Sequence, residues 1–172
     1  LPSISTENVK GDYKIIQESL NRSINNIKDV LSNINELKEN VETGRLAFRL
    51  DSSKFTGDWK NVMEGMNHIA DSYRMILDSI PLPLLMLDSS MKILFVNKAT
   101  QSVAGLSEKL LLGKQYNEKF KIETCGNCAV KEAFESGSAN SKDMILDIGG
   151  EERDFHYYGI PISKNGKIEA VF

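Results

Sequence analysis

Leu84-Leu85-Met86-Leu87, then Asp88-Ser89-Ser90-Met91-Lys92, then Ile93-Leu94-Phe95-Val96 and Asn97-Lys98-Ala99, is the stretch on which the fold turns. Two short apolar runs separated by a mostly polar loop predict two strands and the turn between them. Downstream, Leu-rich helical segments around Leu106 and 110–112 end at Gly113, and a firmer helix, Cys128 to Ser136, stops at Gly137. Three further strands are predicted at Met144 to Ile148, Phe155 to Ile162 and Ile168 to Phe172, punctuated by Gly149-Gly150 and Lys164-Asn165-Gly166. Five short strands with the helices grouped mid-order describe an α+β domain built on a five-stranded antiparallel sheet.

Upstream the pattern changes. Between Gly11 and Thr43 there is no Pro, and apolar residues fall at Tyr13, Ile16, Leu20, Ile27, Val30, Ile34, Leu37 and Val41, in alternating steps of three and four. Ser23 fills the single gap. A seam this regular predicts a helix about 50 Å long. Ile24 and Leu31 widen the stripe, which suits a helical bundle better than a bare two-stranded coil. Trp59, Val62, Met66, Ile69, Tyr73, Ile76 and Ile80 repeat the alternation, predicting a second helix from about Asp58 to Asp78. The two helices open alike: residues 11–21 align with 57–67, sharing Gly, Asp, Lys, Glu and Asn and an aromatic at the third position. An Asp at a helix start is expected to cap free N–H groups and suits the positive end of the helix dipole.

Between the helices lies Gly44-Arg45-Leu46-Ala47-Phe48-Arg49-Leu50-Asp51-Ser52-Ser53-Lys54-Phe55-Thr56, long enough to return the chain to its starting end so that the helices run parallel. A helix, a Gly-x-Leu-x-x-x-Leu connector and a second helix resemble the HAMP signal-transmission module, which implies a parallel four-helix bundle formed by a homodimer. The Gly57-Asp58-Trp59 opening is similar to that of serial HAMP units in chemoreceptor-like proteins, although it departs from the Asp-Glu-x-Gly start of many second helices. The later region resembles a PAS sensor domain. Ile76 to Pro81 leads into the first strand, Asp88 sits in its turn, Val96-Asn97-Lys98-Ala99 steps out of the second, and Asn165-Gly166 turns into the fifth. These resemblances divide the chain into 1–26, the end of a preceding HAMP-like unit; 27–75, a HAMP-like helix-connector-helix unit; and 76–172, a PAS domain. Such domains usually pass their signal to a following helix, so a last strand that reaches Phe172 suggests a fragment of a longer receptor.

Composition narrows the function. The chain of 172 residues carries 21 Lys+Arg against 24 Asp+Glu, a formal net charge of −3, with no basic stripe, so nucleic acid is not an expected partner. The longest apolar run, Leu82 to Leu87, includes Pro83 and falls far short of the roughly 20 residues of a membrane span. Two cysteines and no secretion signal indicate a cytosolic or cytosol-facing segment. There is no phosphate-binding Gly loop, Gly-x-Ser-x-Gly elbow or His-Glu-x-x-His helix, so an enzyme is not expected.

The reactive pair is Cys125-Gly126-Asn127-Cys128, at the start of the helix that lines the cavity in PAS folds. A helix N-terminus favours thiolate, so this pair is a candidate redox or metal-binding site, or else two small half-buried cysteines at a turn. A closed metal site normally needs four ligands, so His156 or a second subunit would have to contribute. Asn127-Cys128 matches only two letters of the flavin-binding Asn-Cys-Arg-Phe-Leu-Gln run, and the pocket helix carries no His, so flavin and haem are disfavoured. A small organic ligand would be lined by Tyr116, Phe120, Phe134, Phe155 and Tyr157, which serve equally as core.

The expected function is therefore that of a cytosolic segment of a transmembrane receptor similar to a methyl-accepting chemotaxis transducer. Its PAS domain would sense a small ligand or redox state, and the helices would relay the signal. The alternatives are the input region of a sensor histidine kinase and a passive dimerisation spacer with an empty PAS domain.

Overall fold

In the computed structural model, helix α1 spans Asp12–Glu42 and α2 spans Asp58–Ser79, within a residue or two of the limits set by the apolar spacing. The structure describes residues 11–120, 128–148, 151–164 and 166–172. Gly11 and Gly57, the first residues of the repeat, both have left-handed φ values (67° and 58°), and their carbonyls accept the first helical bonds from Lys14 and Lys60 at 3.1 Å. The repeat is thus a shared way into a helix. In the second copy Gly57 takes the cap position expected for Asp58, which sits in the first turn and meets the positive end of the dipole there.

The chain forms two units, one of residues through Asn40 with Phe48–Asp71, the other of Val41–Ala47 with Ser72–Phe172. In the first, α1 buries Val30 and Leu37, α2 buries Met63 and Ala70, and the connector buries Leu50. The connector runs back along α2. Both Nε and Nη2 of Arg49 donate to Asp71 Oδ1 (2.8 and 2.6 Å), the Leu50 N–H and C=O both bond the Asn67 amide (2.8 and 2.9 Å), and Ser52 Oγ meets Glu64 at 3.5 Å. Its partners thus fall in number as the connector rises. Asp51 accepts from the Ser53 hydroxyl and N–H, which holds its carboxyl below the usual range and caps a one-turn 3-10 helix at Ser52–Lys54. Ser23, the gap in the seam, is exposed and its hydroxyl bonds the Ser19 carbonyl one turn back.

In the second unit, strands β1 (Leu85–Leu87), β2 (Ile93–Val96), β5 (Pro161–Lys164) and β6 (Lys167–Val171) form an antiparallel sheet in the order β2-β1-β6-β5. Strands β3 (Asn140–Ile148) and β4 (Glu151–Gly159) pair antiparallel along their whole length as a second sheet. The expected single five-stranded sheet is therefore corrected, among the described residues, to six strands in two sheets, because the predicted strand Phe155 to Ile162 divides at Ile160. Gly159 lies so close to the start of the neighbouring helix that a Cβ would be 2.5 Å from the Ala129 carbonyl oxygen, and one residue later Ile160 exchanges both backbone bonds with Phe172. Asp88 holds the β1–β2 turn as expected, its carboxylate accepting from the N–H groups of Ser90 (2.8 Å) and Lys92 (2.9 Å).

Among the described residues four short helices follow β2: α3 (Lys98–Ala104), α4 (Glu108–Leu111), α5 (Tyr116–Phe120) and α6 (Ala129–Ser136). Their apolar sides pack with Leu87, Ile93, Val96 and Val171 of the sheet in one buried cluster. A second cluster, of Leu46, Met86, Phe95 and Ala170, takes in Val41 from the end of α1 and Leu77 from the end of α2. The two helices therefore finish at the same place, as a returning connector requires and a simple hairpin would not allow.

Candidate functional site

Cys128 is the N-cap of α6 and only 5% exposed, packed in the larger cluster with Tyr116, Leu111 and Val130. It is disulfide-bonded, and the chain's only other cysteine, Cys125, lies outside the described residues. In this oxidised state Cys128 has no thiolate to offer a metal, and metal ligation by Cys125 and Cys128 would require reduction first. The Tyr157 hydroxyl accepts a 3.1 Å bond from the Ala129 N–H, the first free donor of α6, so β4 pins the helix start from the opposite side. Together with the close backbone approach of Gly159, this leaves the first turn of α6 little freedom.

Tyr116 is buried at the start of α5, its ring 5.3 Å from that of Phe120 and tilted by 40°. Burial, with the Tyr157 phenol nearby, pushes its hydroxyl pKa up, so the neutral phenol is the form the site holds. Phe120, Phe134 and Tyr157 are partly buried against the same cluster. Of the predicted lining, the structure thus gathers Tyr116, Phe120, Cys128, Phe134 and Tyr157. Phe155 is half-buried opposite Met144 in the β3–β4 ribbon and is not one of the cluster's residues.

His156 alternates with Tyr157 along β4 and so faces the other way, with Nδ1 2.6 Å from Asp143 Oδ1 and its ring edge-on to Tyr158 at 5.0 Å. His156 thus sits on the face of β4 away from Tyr157. Among the described residues no three His, Cys, Asp or Glu side chains come together as a metal site.

One densely bonded polar residue is Asn97, which the sequence marked only as the step out of β2. Fully buried, it accepts through Oδ1 from Leu84 N (3.0 Å) and Thr100 N (2.9 Å), while its Nδ2, with two protons, is shared among the carbonyls of Leu82 (2.9 Å), Ile80 (3.2 Å) and Leu77 (3.3 Å), and the Thr100 hydroxyl donates to the Leu84 carbonyl (2.6 Å) beside it. Two more bonds join α2 to the short helices. Asp78 Oδ1 accepts from Lys98 N (3.1 Å), and Arg74 Nη2 donates to Glu108 Oε2 (2.5 Å), a bond that raises the Arg74 pKa. A helix-capping Asn after a strand, with its bond to Thr100 N, was a readable signal; its other partners lie 13 to 20 residues away, and no spacing rule reaches them.

The PAS fold family model matches residues 71–162, beginning within α2, ahead of the boundary expected at 76. No curated protein matches the chain. Among solved structures, the PAS domain of nitrogen regulation protein NR(II) from Vibrio parahaemolyticus is similar at a TM-score of 0.50 and 16% identity, covering 58% of this chain and 91% of that one. An RNA-binding Light-Oxygen-Voltage receptor is similar at a TM-score of 0.52 and 9% identity, over 92% of this chain and 62% of that one. A domain of an HTR-like protein from Haloarcula marismortui ATCC 43049 shares 26% identity at a TM-score of 0.44, over 54% of this chain and 92% of that one. With short helices and an antiparallel sheet closing on one buried cluster, and a family match over more than half of its length, the chain belongs to the PAS fold family.

Proposed function

We propose that this chain is the sensing and relay segment of a transmembrane chemoreceptor-like transducer. Its PAS domain senses a small ligand or a redox state, and a HAMP-like helix-connector-helix unit relays that state as a parallel four-helix bundle in a homodimer. The observation that carries this reading is the second apolar stripe on the helices. While Met63 and Ala70 of α2 are buried, Val62, Ile69, Tyr73 and Ile76 stand exposed along a different face, and Ile16 and Leu20 do so on α1. Ile69 and Ile76 keep 65% and 63% of their surface. Burying each such side chain contributes about 1.5–3 kcal/mol, so a second copy supplying the same stripe is a strong partner. No helix among the described residues is long and apolar enough to cross a membrane, and in this reading the membrane anchor belongs to another part of the receptor.

Of the two inputs, redox is favoured by the disulfide of Cys128, buried where α6 begins and β4 touches it. Native mass spectrometry of protein purified without oxygen tests the whole reading. A dimer is expected. Added mass that leaves on unfolding would identify a bound ligand, a dimer of bare mass that gains two hydrogens per chain on reduction would identify the thiol pair as the input, and a monomer would overturn the bundle.

A further inference from the structure

We infer that the outward face of the β3–β4 ribbon is a docking surface for a basic amphipathic helix of a partner protein. The ribbon belongs wholly to the second unit, so this surface goes beyond the sensor-and-relay reading and does not depend on the helical bundle. Side chains alternate across a ribbon, and the pairings Ser141↔Tyr158, Asp143↔His156 and Ile145↔Asp154 set these six residues on one side. All six are exposed, and Glu152, two residues before Asp154, continues the row and is exposed too. The opposite side faces α6, where the Tyr157 hydroxyl accepts from the Ala129 N–H and Lys142 Nζ donates to Glu132 Oε1 at 2.5 Å.

Two features define what the outward face accepts. It is apolar, for Ile145 and Tyr158 keep 63% and 61% of their surface, and Ile160, just past the end of β4, keeps 50%. It is also acidic. Asp143, Glu152 and Asp154 all lie on it, while the two cations of the ribbon, Lys142 and Arg153, alternate onto the other side. Charge is thus sorted between the two faces, and the one basic group near the carboxylates, His156, has its Nδ1 2.6 Å from Asp143. A second copy of the chain suits this face badly, because a two-fold contact sets the patch against itself and brings carboxylate to carboxylate. The phosphates of a nucleic acid or an anionic lipid surface meet the same repulsion. A protein segment that offers apolar residues flanked by Lys or Arg satisfies both features at once. A sheet face, as distinct from a sheet edge, is covered by a helix. Tyr158 stands opposite Ser141, four residues from Ile145, so the two apolar side chains are about 13 Å apart along the strands, or about two and a half turns of helix.

Fluorescence anisotropy with the full chain and a labelled helical peptide of Leu and Lys, its Leu confined to one face, tests this. Saturable binding that weakens as salt rises is expected. Glu152→Lys with Asp154→Lys should weaken it about tenfold, whereas Glu118→Lys with Glu135→Lys, an equal change of charge on exposed residues elsewhere in the domain, should leave it within about twofold. Ile145→Ser with Tyr158→Ser should also weaken it about tenfold, and because both side chains are exposed the circular dichroism of that protein should match wild type. No binding, or equal losses in the two charge-reversed proteins, would overturn the inference. So would a subunit number, measured by sedimentation velocity, that falls on Ile145→Ser with Tyr158→Ser, since the face would then belong to a second copy. Binding to phosphatidylserine vesicles that the same pair abolishes would overturn it in favour of a membrane.

Discussion

Asn97 shows how much of this fold hangs on one side chain. Its carboxamide ties together the end of α2, the approach to β1 and the start of α3, and it is fully buried. Removing one partner of a buried hydrogen bond costs about 1–3 kcal/mol per group left unpaired, so Asn97→Ala should destabilise the domain by about 3 kcal/mol or more. Asn97→Asp, which keeps the shape but turns a carboxylate toward three carbonyls, should do no better. Urea denaturation followed by circular dichroism checks both, and a midpoint within error of wild type would reject the role. Tyr116 makes a second residue-scale prediction. Its pKa is raised above the ordinary 10.0 in the folded state, chiefly by burial, so its contribution is fully present below pH 10.0 and is lost as pH rises through the raised value. Wild type should therefore lose melting temperature more steeply than Tyr116→Phe above pH 10, and parallel curves would place the phenol in water.

At the scale of elements, periodicity reads helices well because every turn repeats the same requirement. The limits of α1 and α2 follow from three-four spacing alone, and the Gly-Asp repeat marks how both begin. The predicted strand Phe155 to Ile162 divides because of a neighbour distant in sequence: β4 ends where Gly159 meets the backbone of Ala129, and β5 begins as the chain joins β6. Gly159→Ala would place its Cβ 2.5 Å from the Ala129 oxygen and 2.9 Å from Val130 N, backbone atoms with no rotamer to change. It should cost about 2–3 kcal/mol and loosen the contact between β4 and α6. Urea midpoints measure the cost, and amide exchange at 129–133 shows whether the helix start opens with it.

For the whole molecule, the oxidation state of Cys128 is the variable with the clearest reach. Its disulfide caps the start of α6, and a short-range disulfide of this kind contributes about 2 kcal/mol on the chain-entropy account. Reduction by a dithiol should lower the melting temperature, re-oxidation should restore it, and Cys128→Ser should melt as the reduced protein does under both conditions. A melting temperature blind to reductant would remove the thiol pair as an input. What the sequence by itself determined were the features that repeat or act locally: two long amphipathic helices, a glycine-led repeat, the Asp88 turn, and the α+β order that resembles a PAS domain. It also brought Tyr116, Phe120, Cys128, Phe134 and Tyr157 to notice as aromatic or sulfur-bearing side chains near the expected pocket. Only the tertiary structure decided that Phe155 stands apart, that His156 points to Asp143, that the sheet is two sheets, and that Leu46 joins the PAS sheet while Leu50 joins the helices. Those outcomes depend on which groups meet across the fold, and a meeting of residues tens of positions apart is set by packing and by the need to pair every buried polar group, not by any local pattern.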